Sequence, residues 1–163
     1  MPGFADLMRA LAAATGWASL GAPDGAGVYR VALENDPDAV FFTLGDKTCV
    51  MRGVVTELPE AVAEREALCD RAAHAQLAAL RERPSILALE EPGQSLVPGE
   101  AATVARIVCF RSVPLSVDNE SFTAEVQAWL NDLSWWKGNL GQAEQRTGMN
   151  SIFNAGMFSG LKL

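Results

Sequence analysis

The chain of 163 residues contains a single histidine, His74, and this scarcity excludes several kinds of catalytic site. An HExxH metal site needs two histidines, and a Ser-His-Asp triad would have to use His74 without the GxSxG turn that presents such a serine. His74 lies in an alanine-rich run that is typical of a helix, where a lone histidine is usually structural. We therefore expect neither histidine-based catalysis nor a histidine-bound metal.

Cysteine is also scarce. Cys49, Cys69 and Cys109 are odd in number and widely spaced, and no CxxC pair occurs. This pattern is typical of reduced thiols and not of a disulfide framework or a zinc site.

Basic residues are fewer than acidic ones, with 13 Lys and Arg against 20 Asp and Glu and a formal net charge of -7. Such a balance repels phosphate backbones and anionic lipid, so we expect neither nucleic acid nor a membrane as partner. No run of about 20 apolar residues is present to span a bilayer. The N-terminus lacks a basic start, and Asp6 and Arg9 interrupt its apolar run, so it does not predict a signal peptide.

Phosphate-binding loops are missing as well. Lys47-Thr48 lacks the glycine frame of a P-loop, and the Gly-rich segment 21–27 precedes a strand, whereas a dinucleotide loop follows one. The acidic pair Glu90-Glu91 is typical of a solvated surface. We expect a protein without a cofactor and without enzymatic activity.

What the chain does have is a clear order of periodic segments. The predicted elements are a helix from Phe4 that ends at Gly16, strands at 28–33, 40–44 and 48–58, a helix from Pro59 to about Arg83, strands at 85–89 and 102–115, and a helix from Asp118 that frays near 138–141. The short links between strands favour antiparallel pairing, because parallel neighbours need a long crossover. The sequence therefore predicts a two-layer α+β fold, with a twisted antiparallel sheet of about five strands and three helices.

Two features concern the C-terminal part. Residues 1–140 are predicted to form one domain, and residues 141–163 an apolar extension that docks on its own or a neighbouring subunit. One hypothesis is that Ser151 to Leu163 occupy the partner groove when no partner is bound, as a tethered competitor; the alternative is an assembly element. Trp129 and Trp136 share a helix face, which favours the core or a subunit contact, whereas Trp135 points elsewhere and is the better candidate for a contact surface.

The order of the segments resembles a known family. The pieces, from Phe4 to Lys137, are LMRALAAATGW, GAGVYRVALEND, VFFTL, TCVMRGVVTELP, the long helix from Pro59, SILALEE, VARIVCFRSVPL and FTAEVQAWLNDLSWW. Together they resemble the class I type III secretion chaperones, also called the Tir chaperone family. The chain departs from that pattern in a longer loop from Glu90 to Glu100 and in the segment beyond Lys137.

The resemblance implies a homodimer in the bacterial cytoplasm that holds the N-terminal segment of a secreted effector in extended form. A sheet edge would satisfy the backbone of that segment by strand addition, and apolar grooves would shelter its side chains. The implied dimer interface involves the middle helix and the late strands, at Leu68, Ala72, Leu77, Ile86 and Leu89.

The predicted partner-binding residues are Leu7, Met8, Leu11, Phe41, Val50 and Val54. Phe41 lies on the opposite side of its strand from Val40 and Phe42, and a single helix layer shelters only one side of a sheet. Phe41, with Val50 or Val54, would then line a partner groove. The alternative, that helices or a second subunit cover both sides, is equally compatible with the pattern.

Two other functions remain open at this point. One is a regulator of the same fold that docks a single folded partner. The other is an enzyme or small-molecule binder with a pocket under the helices, which would need convergent polar groups and perturbed acids.

Overall fold

Three helices and five strands follow one another in the predicted order within residues 3–17, 20–33 and 36–141, the part of the chain that the computed structural model describes. The predicted apolar extension 141–163 lies, apart from Gly141, outside the described residues. The elements are α1 (Phe4–Thr15), β1 (Tyr29–Leu33), β2 (Asp36–Leu44), β3 (Thr48–Glu57), α2 (Val62–Ala79), β4 (Ile86–Glu90), β5 (Arg106–Pro114) and α3 (Asn119–Trp136), which a π-helical turn, Lys137–Gly141, extends. The predicted α+β fold is confirmed.

The strands form one antiparallel sheet in the order β1-β2-β3-β5-β4. β2 and β3 are joined by a tight turn in which Gly45 has a φ of 60°, a value that L side chains rarely adopt. Because α2 separates β3 from β4 in the chain, β5 returns between them and β4 becomes the last strand of the sheet. The consequence for function is that β4 has a free side.

Several boundaries differ from the predicted ones. α2 starts at Val62 and not at Pro59, because the Leu58 amide still donates to the Ala105 carbonyl at 2.8 Å and keeps the chain on the sheet. β5 starts at Arg106, because residues 102–105 belong to the preceding loop. β2 begins at Asp36, where a turn was predicted; Pro37 is tolerated there because the pairing with β1 shifts register at that point.

The helices cover one side of the sheet, which we call the helix side. Phe41, Met51 and Cys109 point into this core, where the Phe41 and Trp129 rings meet edge to face with centroids 5.8 Å apart. Trp129 and Trp136 are fully buried, as the spacing predicts. The helix side is the main hydrophobic core of the described chain.

The start of α3 is fixed by the predicted cap. The Asp118 carboxylate accepts hydrogen bonds from the amide and the hydroxyl of Ser121, both at 2.8 Å. These bonds, together with the dipole at the helix N-terminus, lower the pKa of the exposed Asp118 carboxyl. The cap orients α3 so that Phe122 and Val126 face the sheet.

Gly53 of β3 allows α3 to approach the sheet closely. A Cβ atom at this position would lie 2.5 Å from Leu133 Cδ2 and 2.9 Å from Leu133 Cδ1. Leu133 is itself buried, so its side chain has little free space into which to move.

We predict that Gly53→Ala lowers the free energy of unfolding by about 1–3 kcal/mol, because the added methyl overpacks this contact. Gly138→Ala is the matched control, since a Cβ there has no atom within 4 Å. It should leave stability unchanged or raise it by up to about 1 kcal/mol, because alanine favours a helical turn over glycine. Urea unfolding of the three proteins measures both values. Equal midpoints for Gly53→Ala and the wild type would show that α3 moves away at no cost.

Candidate functional site

Strand β4 is an apolar edge. It pairs with β5 on one side, and no described residue pairs with its other side. Ile86 and Leu89 are 45% and 48% exposed, and neither a charge nor a proline lies between them. Natural proteins usually blunt a free edge with charges, prolines or bulges. Here Pro84 precedes β4 and Glu90 ends it, so the exposed apolar part of the edge is confined to Ile86 and Leu89.

Helix α2 lies beside this edge and leaves a groove. Only Leu68 and Ala72 of the helix are buried, and the Leu77 side chain is 76% exposed. The open groove has a volume of about 200 Å³, and its lining is Cys69, Ala72, Ala73, Gln76, Leu87, Ala88, Leu89 and Ile107. We call this groove, together with Leu77, Ile86 and Leu89, the β4–α2 surface.

The start of β4 is held firmly to α3. The buried Asp132 carboxylate accepts a hydrogen bond from the Ser85 hydroxyl at 2.5 Å and another from Arg83 at 3.2 Å. The Arg83 guanidinium lies 4.5 Å from the centre of the Trp135 ring, a cation–π contact. The edge is therefore presented by a fixed element and not by a frayed end.

The residues predicted to form a dimer interface divide into two groups. Leu77, Ile86 and Leu89 are exposed on the β4–α2 surface. Leu68 and Ala72 are buried, and Ala72 also lines the groove. Four of the five residues thus lie on α2 and on the side of β4 that faces the helices, whereas Ile86 points to the outer side of the same edge. Their contact with a second subunit stays a prediction.

The residues predicted to bind a partner lie elsewhere. Leu7, Met8, Leu11 and Phe41 are fully buried in the helix-side core, so in this arrangement they contact their own chain.

The grouping of Phe41 with Val50 or Val54 is wrong. Phe41 pairs with Met51, whereas Val50 pairs with Phe42, so Val50 and Val54 face the opposite side of the sheet. The tight turn between β2 and β3 sets this register, and it places Phe41 and Val50 on different faces.

The opposite side of the sheet, which we call the outer side, carries a second buried cluster. It consists of Val28, Val40, Phe42, Val50 and Val97, with Phe110 packed against it. Val97 does not belong to a strand; it comes from the loop 91–105 that joins β4 to β5. The loop therefore covers part of the outer side.

Beside this cluster the same loop meets an ion-pair network. Arg52, 1% exposed, donates two hydrogen bonds to Glu90, at 2.6 and 3.2 Å, and one to Glu100 at 3.0 Å. Arg106 donates to both carboxylates, to Glu90 at 2.7 Å. Arg30 donates to Glu100 at 3.1 Å. Buried charges are tolerated when each has such partners.

The network keeps its carboxylates ionised. Burial works against ionisation of Glu90, but the bonds from Arg52, the Leu96 amide and Arg106 outweigh it and lower the pKa. At Glu100 burial is likewise outweighed, by Arg106, Arg52 and Arg30. Sequence reasoning missed this network. The only signal was that three arginines interrupt otherwise apolar strand patterns.

The thiols of the two buried cysteines are not activated. Burial raises the pKa of the Cys49 and Cys109 thiols to about 12, which disfavours the nucleophilic thiolate. The three cysteines are free. No group of His, Cys, Asp and Glu within the described residues is arranged to hold a metal ion. No helix in the described part of the chain is long and apolar enough to cross a membrane.

We predict that stability falls when the pH drops below about 4.5, the ordinary glutamate pKa. The folded pKa values of Glu90 and Glu100 are lowered, so the unfolded chain takes up protons first, and the network's contribution is lost as the pH falls toward the folded values. Urea unfolding between pH 7 and pH 3 measures this decline.

The matched variants sharpen the test. Glu100→Gln should lower stability at pH 7 by about 1–3 kcal/mol and make the acid decline shallower. Glu60 is an exposed glutamate outside the network. Glu60→Gln should therefore change neither the stability at pH 7 nor the steepness of the acid decline. A Glu100→Gln profile parallel to that of the wild type would contradict the assignment.

Comparison with models of known protein families finds no match for this chain, and comparison with curated proteins finds none either. The geometry of the β4–α2 surface and of the outer side therefore carries the functional argument.

Proposed function

We propose that this chain is a non-catalytic binding protein that forms a homodimer through the β4–α2 surface and holds an extended segment of a secreted protein, in the manner of the type III secretion chaperones it resembles. The observation that supports the homodimer is the free edge of β4, with Ile86 and Leu89 exposed, beside an open groove. The holding of an extended segment is what the resemblance implies. For a protein with this role, the expected location is the bacterial cytoplasm.

The chemistry of this surface suits a polypeptide. The free side of β4 offers backbone N–H and C=O groups, which another strand satisfies in full. Ile86 and Leu89 point to opposite sides of that edge, so an added strand would be flanked by apolar side chains on both sides. The groove would receive side chains of the same partner.

A second copy of the chain is the occupant that we favour. Two β4 strands paired antiparallel across a two-fold axis would join the two sheets and place Leu77 and Leu89 of each copy close to the other. The groove is less suited to a small ligand, because it is open and the amide of Gln76 is the one hydrogen-bonding side chain of its lining apart from the Cys69 thiol.

We predict that Leu89→Lys and Leu77→Glu each weaken dimerisation at least about tenfold, because each introduces an unpaired charge into an apolar contact. Leu44→Lys is the control. Leu44 is 69% exposed but lies at the far end of β2. Sedimentation analysis over a range of concentrations gives the dissociation constants. A wild-type chain that stays monomeric at high concentration would contradict the proposed interface.

We also predict that co-purification with this chain as bait, from the cells that make it, yields one dominant protein partner bound through its N-terminal segment. Mass spectrometry identifies the partner, and limited proteolysis of the complex maps the protected segment. Protection of a whole folded domain would favour the regulator, and a retained small molecule without a protein would favour the ligand binder.

A further inference from the structure

The loop 91–105 has a fold of its own. Gly93 donates its amide to the Ala102 carbonyl at 2.8 Å, and Ala102 donates to Gln94 at 3.2 Å. Glu100 donates its amide to the Val97 carbonyl, also at 3.2 Å. Among the described residues, the backbone–backbone hydrogen bonds of 91–104 join these residues only to one another. Within 91–104 the loop keeps its shape through its own backbone bonds, and it is tied to the sheet at its end, where the Ala105 carbonyl accepts from the Leu58 amide at 2.8 Å.

Side chains dock the loop on the outer side. Val97, 2% exposed, fills the apolar cluster, and the Glu100 carboxylate bonds to the three arginines. The Leu96 amide adds one bond, to the Glu90 carboxylate at 2.9 Å. The Ser95 hydroxyl adds another bond to Glu90 at 3.3 Å, and Ala102 is buried as well. Val97 and Glu100, three residues apart, supply the apolar contact with the outer cluster and the bonds to the three arginines.

A unit attached in this way opens at a lower free energy than the whole molecule, because few contacts are lost and its internal bonds are kept. Opening would uncover Val28, Val40, Phe42 and Val50 on the sheet. It would also take the Glu100 carboxylate away from Arg30 and leave Arg52 and Arg106 sharing the single carboxylate of Glu90. The uncovered surface would be apolar with an adjacent positive charge, although the chain as a whole is acidic.

We propose that residues 91–104 act as a lid over a second binding surface, and that the surface beneath binds an extended protein segment carrying an apolar side chain and a carboxylate about three residues apart. The loop itself shows this chemistry, since Val97 and Glu100 occupy the two positions. The inference rests on the proposed function only for the kind of partner, an extended segment of another protein.

The opening of the lid is tested with neighbouring thiols on β3. Val50→Cys, in a Cys69→Ser background, places a thiol under the loop, while Cys49 points into the helix-side core. With a maleimide reagent, the thiol introduced by Val50→Cys should react at least about tenfold faster than Cys49. Equal rates would mean that the loop opens only with global unfolding and would overturn the lid.

Two further variants separate the lid from the core. Leu133→Ala weakens the helix side and should accelerate the reaction of Cys49 but not that of the thiol under the loop. Glu100→Gln should accelerate the reaction of the thiol under the loop about tenfold or more, because the charged hydrogen bonds of the loop are lost. If Leu133→Ala accelerates both thiols equally, the lid is refuted. Amide hydrogen exchange of the wild-type chain compares the opening of the loop with that of the helix-side core without an introduced thiol.

Binding is tested with a synthetic peptide of residues 91–105 added to the Val50→Cys, Glu100→Gln protein. The peptide should slow the reaction of the thiol under the loop several-fold, and a peptide carrying Glu100→Gln should have little effect. Equal effects of both peptides, or no effect of either, would overturn the second surface. These rates are read within one chain, so the outcome does not depend on whether the β4–α2 surface forms a dimer or a secreted partner exists.

Discussion

Both sides of one five-stranded sheet carry apolar side chains, and both must be kept from water. The helices do this on one side, where Phe41 and Met51 meet Trp129 and its neighbours. The described helices all contribute to that core, so the outer side is left to the loop 91–105. Because of this constraint, the helices form the core on one side of the sheet, and a loop attached mainly by its side chains covers part of the other.

Charge makes the second cover possible. A loop offers little apolar surface, and Val97 is its one residue in the buried cluster. Glu100 adds charge-assisted hydrogen bonds to arginines of three strands, β1, β3 and β5. Such a pairing is specific in geometry, and its net contribution to stability is modest once desolvation is counted. A cover of this kind fixes the position of the loop while leaving it separable from the sheet.

Local signals in the sequence predicted the elements well, and long-range pairing explains what they missed. Gly16 ends α1 in a left-handed conformation, and Asp118 caps α3, as predicted, because each acts within one turn of helix. Strand β3 is apolar on both sides, so alternation could not tell which of its residues share a side with Phe41. That choice depends on the register of the β2–β3 turn.

The candidate sites show the same limit. Leu77, Ile86 and Leu89 are grouped by what the resemblance implies, and all three side chains are exposed on α2 and β4. The partners of Arg52 could not be predicted from the sequence, since Glu90 and Glu100 are 38 and 48 residues away along the chain. An arginine in a strand usually indicates a solvent-exposed side of the sheet. Arg52 is buried because the carboxylates of Glu90 and Glu100, distant in the sequence, pair with it.

Glu90 links the two surfaces. It is the last residue of β4, one position after Leu89 of the exposed edge, and its carboxylate binds Arg52, Arg106 and the Leu96 amide of the loop. A strand that pairs with β4 would order the backbone from which this carboxylate projects. Pairing of a strand with β4 and attachment of the loop therefore both involve Glu90. The helix-side core has no part in the ion-pair network, so neither event changes it. The fold thus provides a helix-side core on one side and two adjoining surfaces, the β4–α2 surface and the outer side, that meet at Glu90.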